Sequence, residues 1–206
     1  MTTKEKILHA SLKLFNAHGI DQVTVRDIAK EINISHGNLC YHYPGTNDII
    51  LALYNNLVTK ISAILDALEP DENIVRSHAQ ATQNIFELLY SYKFFFLNFI
   101  EITRRIKSIK KTHYELIEQR KHQVRHFFEI LRQEGVFRKD LSNEQYEFLI
   151  MQCFVYGDFW ISNSEVMYKG PAAEKINYYV KGYLALFNPY FTEKGKSWAG
   201  DFFPKD

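Results

Sequence analysis

Residues Ile34–Asp48 read ISHGNLCYHYPGTND. Ser35 is an N-cap residue and Pro44-Gly45 a stop signal, so the run between them, through about Tyr43, is predicted as a short helix. Its composition does not suit a core. His36, Asn38, Tyr41, His42 and Tyr43 stand where Leu and Ala would pack, and Gly37 offers no side chain at all. Such a helix exposes its chemistry to something outside. Upstream, Thr24 caps VRDIAKEI (Val25–Ile32), whose Val25, Ile28, Ala29 and Ile32 share one face to be buried. Asn33 then makes a tight turn, because it tolerates positive φ. A helix, a tight turn and a second helix carrying polar and aromatic groups form a DNA-reading unit.

In that unit Val25–Ile32 is the supporting helix and Ser35–Tyr43 lies in the major groove. His36 and Asn38 reach base edges, and an Asn side chain can pair with adenine N6 and N7. Gly37 lets the backbone come close to the duplex. Tyr41 and His42 donate to phosphates, as do Thr24 and Arg26 at the start of the supporting helix. The helix N-termini at Thr24, Ser35 and Thr46 add backbone donors aimed at phosphate. The candidate DNA-contacting set is therefore Thr24, Val25, Arg26, Ser35, His36, Gly37, Asn38, Tyr41, His42 and Thr46.

The rest of the chain is helical in period and expected to be all-α. Thr3 is expected to cap a first helix with Ile7, Leu8, Ser11, Leu14 and Phe15 on one face, and Gly19 to end it as an αL residue. Three short helices bury little surface alone and need a neighbour. Thr46 or Asn47 is expected to cap a long amphipathic helix ending at Pro70, and a second run follows from Asp71 to about Tyr92. KFFFLNFIEI (Lys93–Ile102) is rich in residues that suit a strand, but no partner strand is in sight, so it reads as a short, deeply buried helix. Ser108–Glu134 is one long polar helix closed by Gly135. Ser142 caps the next, and KGP (Lys169–Pro171) separates it from AAEKINYYVKGYLALF. The expected domains are 1–46, a helix-turn-helix head, and 47–206, a helical body.

Residues from about 4 to 53, roughly a quarter of the chain, resemble the DNA-binding head of TetR/AcrR-type transcriptional repressors. The matching pieces are ILHASLKLFNAHGIDQVTVRDIAKEINIS, then G-N-L-x-Y-H-Y, then DIILALY at the opening of the fourth helix. The family usually has Tyr where this chain has Cys40, Lys where it has Thr46, and Gly at Asn33. The first two changes remove groups that typically touch phosphate. The resemblance implies a homodimer whose last two long helices form a four-helix bundle across a two-fold axis. It also implies a palindromic double-stranded operator, with a small-molecule effector that releases the repressor.

With 25 Lys+Arg against 24 Asp+Glu, the 206-residue chain is no general polyanion binder, so DNA contact must come from a local patch. A hydrophobic share of 46% with 15% aromatics argues against disorder. Cys40 and Cys153 are far apart and read as reduced thiols. The N-terminus is too polar and periodic for a signal peptide, and no apolar run approaches the roughly 18 residues of a membrane span. A cytoplasmic protein with no membrane partner is expected.

In the body, Tyr146, Leu149, Ile150, Phe154 and Ile161 repeat at helical spacing, as do Ile176, Tyr179, Val180, Tyr183, Leu184 and Phe187. Such stripes are usually core, but these cover more than one face and call for a second subunit. Aromatic density suggests an apolar effector pocket, with Phe95, Phe99, Phe127, Cys153, Tyr156 and Trp160 as candidates; the bland alternative is that they fill a core. Asp158 either orients a polar ligand group or takes an exposed or capping role. The basic residues of TRRIKSIKK (Thr103–Lys111) read as a solvated face, or else a contact for an anion. Glu118, His122 and His126 share one helix face at metal-compatible spacing but lack a fourth ligand, so no metal is assigned. There is no phosphate loop, nucleophile elbow or interpretable Ser/His/Asp set, hence no enzyme and no cofactor. The rival reading is an interaction protein whose head has lost operator binding.

Overall fold

Helix boundaries fall where short polar side chains meet orphan backbone donors. The computed structural model describes residues 1–68 and 73–200, and among them every regular element is helical. The chain divides into two compact units, residues 1–63 with 91–111, and residues 64–90 with 112 onward.

In the first unit, α1 (Thr3–His18) is capped by Thr2 rather than Thr3. Thr2 Oγ1 accepts from Glu5 N at 3.3 Å and the Glu5 carboxylate accepts from Thr2 N at 2.7 Å. That reciprocal box needs an acid three residues on, which Thr3 lacks, since Lys6 stands there. Gly19 closes α1 at φ 80 and ψ 167, a positive-φ turn outside the αL well. Thr24 caps α2 (Val25–Glu31), Asn33 turns at φ 55, and Ser35 caps α3 (His36–His42). Ile28 and Ala29 are buried, whereas Val25 and Ile32, at the two ends of this short helix, are only half-buried.

The fourth helix, α4 (Thr46–Asp66), starts with Thr46 inside it. Gly45 holds the cap position instead: its carbonyl accepts from Ile49 N at 3.4 Å and its N–H donates to the Asp48 carboxylate at 2.9 Å. The expected stop at Pro70 and restart at Asp71 lie outside the described residues. By length and composition α4 could cross a membrane, with a mean hydropathy of 1.3. Its Ile49, Ile50, Leu53, Tyr54 and Leu57 are buried in the core of the head.

KFFFLNFIEI is helical as expected, but as two pieces, α6 (Lys93–Leu97) and α7 (Phe99–Arg105). Asn98 breaks the run by turning its Nδ2 back to the Phe94 carbonyl at 2.7 Å. This segment is the neighbour that the head requires. Phe94 stacks near Phe15 with centroids 5.3 Å apart, and Phe95 on Tyr54 at 5.1 Å. Asn16 locks the junction: its Nδ2 donates to the Ser91 carbonyl at 2.8 Å and its Oδ1 accepts from Phe94 N at 3.0 Å. Arg105 adds an ion pair to Asp21 at 3.6 Å. Asn16→Ala strands a backbone N–H on a buried phenylalanine, and urea unfolding is expected to show a loss of about 1–3 kcal/mol.

The second unit carries α5 (Ile74–Ser91, its last residue in the first unit), most of α8 (Lys107–Gln133), α9 (Asn143–Met167), α10 (Lys175–Ala185) and α11 (Glu193–Ala199). Gly135 follows α8 at φ 68, and Ser142 caps α9 with a full box through Gln145. A 3-10 turn, Ala172–Glu174, leads into α10. Phe137 and Phe191 form an isolated antiparallel bridge that ties the α8–α9 connection to the segment before α11. Around it Phe128, Phe137 and Phe191 pack at 5.3 Å spacings.

Candidate nucleic-acid interface and ligand cavity

Helix α3 presents an outward surface with little intramolecular purpose. Tyr41 is 86% exposed, and its ring meets His42 edge-on at 5.2 Å. Asn38 is exposed; its backbone N–H donates to Ser35 Oγ at 3.1 Å, while no described residue bonds its side-chain amide. A Cβ built on Gly37 meets nothing within 4 Å. Only Leu39 of α3 is fully buried, and it anchors the helix.

At the start of α2, Thr24 Oγ1 accepts from Asp27 N at 3.3 Å and donates to the Asp27 carboxylate at 2.6 Å. Those bonds from Thr24 hold the Asp27 carboxyl below its ordinary value. Thr24 is therefore committed to capping, and what it offers a phosphate is the helix end. Arg26 is exposed with no acidic partner among the described residues, unlike Lys13, which pairs with Glu31 at 3.0 Å. An exposed cation in the first turn of α2, with no acidic partner among the described residues, suits a phosphate contact. Val25 and Thr46 are half-buried, and Ser35 is exposed.

Gly37→Ala separates folding from binding. Within a helix, Ala is favoured over Gly by about 0.5–1 kcal/mol, so thermal unfolding is expected at a slightly higher temperature. DNA affinity is expected to fall, since the methyl group occupies space that only an outside partner uses. Anisotropy and melting curves on the same sample check both signs.

The second unit holds a cavity of about 180 Å³. Of the six expected pocket residues it gathers Phe127 and Cys153. Phe95 and Phe99 belong to the first unit, where Phe95 is spent on Tyr54 and the two rings pack 5.8 Å apart. Tyr156 and Trp160 are not among the lining residues. Tyr156 donates to the Tyr179 carbonyl at 2.8 Å, and Trp160 stacks on Phe86 at 5.0 Å. His78, Thr82 and Tyr183, none of them among the expected pocket residues, also line the wall. Burial pushes the Cys153 thiol up to about 12, against a hydrogen bond with Tyr183, so it is an inert neutral group at neutral pH.

The other candidates find partners. Asp158 lies 3.7 Å from His113 Nε2, and Glu118 pairs with Lys121 at 2.7 Å. Arg105, within the basic run, is shared between Asp21 and Glu101. No group of metal-ligating side chains is found among the described residues.

The profile of bacterial regulatory proteins of the tetR family matches residues 7–53, and the TetR profile, bacterial transcriptional repressor, matches residues 56–198. The chain belongs to the TetR family. A relative in Bacillus subtilis (strain 168), named "Probable HTH-type transcriptional regulator YttP", is 25% identical over 89 residues, which span 43% of this chain and 43% of that protein. A TetR-family regulator from Marinobacter aquaeolei VT8 shares the fold at TM-score 0.86 and 21% identity, over 99% of this chain and 100% of that one. SmeT, the repressor of the Stenotrophomonas maltophilia multidrug efflux pump SmeDEF, shares it at TM-score 0.65 and 14% identity, over 94% and 92% of the two chains. SmeT has also been solved as a complex with triclosan, at TM-score 0.64 and 13% identity, over 94% and 93%.

Among TetR proteins the usual Tyr at position 40 is here a half-buried cysteine, with Sγ 3.4 Å from His36 Nε2. The contact links two residues one helical turn apart on α3, where His36 and Tyr41 are exposed and Cys40 and His42 half-buried. At Thr46 there is no lysine, and the acid in the first turn of α4 is Asp48, whose carboxylate accepts from Gly45 N.

Proposed function

We propose that this TetR-family protein is a cytoplasmic, dimeric, sequence-specific repressor whose operator affinity is lowered by a small apolar or aromatic effector. The observation that carries the DNA reading is the set Arg26 on α2 and Gly37, Asn38 and Tyr41 on α3: exposed, and without an internal role that explains them. In this reading Asn38 and His36 meet base edges, while Arg26, Tyr41, His42 and the helix starts at Thr24, Ser35 and Thr46 hold phosphates.

The dimer reading rests on α9. Phe148, Met151, Val155 and Phe159 are 51%, 50%, 54% and 43% exposed at spacings of three and four residues, while Leu149, Ile150, Cys153, Trp160 and Ile161 face inward. A row of large apolar side chains on a second face is what a two-fold partner covers. Two heads then meet half-sites about one helical turn apart.

Effector binding reaches the head through helices continuous with both units. Ile74–Ser91 lines the cavity with His78 and Thr82, and its last carbonyl is held by Asn16. A ligand that shifts this helix or tilts α4 alters head spacing, and a strong population shift requires a preference of several kcal/mol for one state. Fluorescence anisotropy on duplex from upstream of the gene itself, titrated with candidate ligands, tests the coupling. A ligand that saturates the cavity and leaves operator affinity unchanged contradicts it.

A further inference from the structure

His78 on α5 has its ring pinned twice. Nδ1 lies 2.9 Å from the Ile74 carbonyl oxygen, and the ring stacks on Phe127 with centroids 3.8 Å apart and planes 8° from parallel. A carbonyl oxygen only accepts, so Nδ1 carries the proton of that bond. Burial holds the imidazole below its ordinary value, partly offset by the Ile74 bond, and so keeps the second nitrogen unprotonated at neutral pH. Nε2 is left as a lone-pair acceptor. The two ring nitrogens face nearly opposite ways, so it is turned away from its own helix backbone. No described residue donates to it.

The remaining polar groups on the cavity wall are already engaged. Thr82 Oγ1 donates to the His78 carbonyl at 2.9 Å, and Tyr183 and Cys153 are hydrogen-bonded to each other. No Asp, Glu, Lys or Arg is among the described residues that line the cavity. An anion there would find no cationic partner among those residues. The volume of about 180 Å³ compares with the roughly 150 Å³ cavity that accepts a benzene ring, so the site fits one or two rings.

We propose that the cavity takes a neutral aromatic alcohol of one or two rings, a phenol or naphthol, whose hydroxyl donates to His78 Nε2. This rests on the reading of the cavity as the effector site. A hydrocarbon of the same shape covers that acceptor without supplying a donor. A pocket with no acceptor reverses the order, because a hydroxyl gives up its water for nothing.

Equilibrium dialysis of the full chain against 2-naphthol, 2-methylnaphthalene and 2-naphthoate tests it. Wild type is expected to bind 2-naphthol about three- to tenfold tighter than 2-methylnaphthalene, and 2-naphthoate weakest of the three. In His78→Phe, which keeps an aromatic ring against Phe127 but removes the acceptor, 2-methylnaphthalene is expected to become the tighter ligand. If that variant does not fold, the wild-type order decides alone. Wild type preferring 2-methylnaphthalene or 2-naphthoate overturns the role of His78 while leaving the cavity as a binding site. Wild type binding none of the three overturns the effector-site reading, and this proposal with it.

Discussion

Asn38→Ala is expected to cost about 1–3 kcal/mol of operator affinity per half-site, and to erase discrimination at the base it reads. The amide side chain makes no hydrogen bond to a described residue and sits exposed on α3, so stability should barely change. Affinity for random duplex should also hold, since that depends on phosphate contacts. Arg26→Ala gives the contrasting pattern. Removing a phosphate-binding cation weakens specific and random DNA alike, and lowers the salt slope by about one per subunit. Salt titrations of both variants on operator and random duplex separate the two roles. An Asn38→Ala protein that loses equally on both DNAs would show Asn38 to be a phosphate contact instead.

The second large effect concerns the dimer. Val155→Asp places a carboxylate in the middle of the exposed apolar row on α9, which the proposed dimer covers. Burying such a charge unpaired costs several kcal/mol, so sedimentation is expected to show monomers at concentrations where wild type is dimeric. Operator affinity should then drop about 10²–10⁴-fold, because the second head no longer binds at high effective concentration. Val155 is 54% exposed in the single chain, so helicity and monomer stability are expected to survive. A mutant that stays dimeric would move the interface elsewhere.

Local chemistry made the head legible. Thr24, Asn33 and Ser35 act within three or four residues of themselves, and each does what its side chain dictates: two caps and one positive-φ turn. The cap at Thr2, where Thr3 was expected, is also a local matter, decided by Glu5 standing three residues after Thr2. The all-α character and the long α8 and α9 follow from periodicity and are found as expected.

The cavity was harder to read because an aromatic residue's destination depends on which helix comes to lie against it. Phe95 and Phe127 look alike in sequence. One fills the core under Tyr54, and the other lines a cavity beside His78. His78 carried a usable signal all the same: it shares a face of α5 with Val75, Ala79, Thr82 and Ile85, a polar ring on an otherwise small and apolar stripe. The two units likewise interleave in sequence, since residues 91–111 join the head. The contact of Phe15 with Phe94 is one long-range link that holds that segment on the head.

The most direct test of the account is selection of bound duplexes from a fully randomised library by the purified wild-type protein, followed by sequencing. Enrichment of an inverted repeat with half-site centres about one helical turn apart is the predicted result. Bound DNA with no enriched motif, released by modest salt, would mean that only phosphate attraction remains at the head, and would contradict sequence-specific repression.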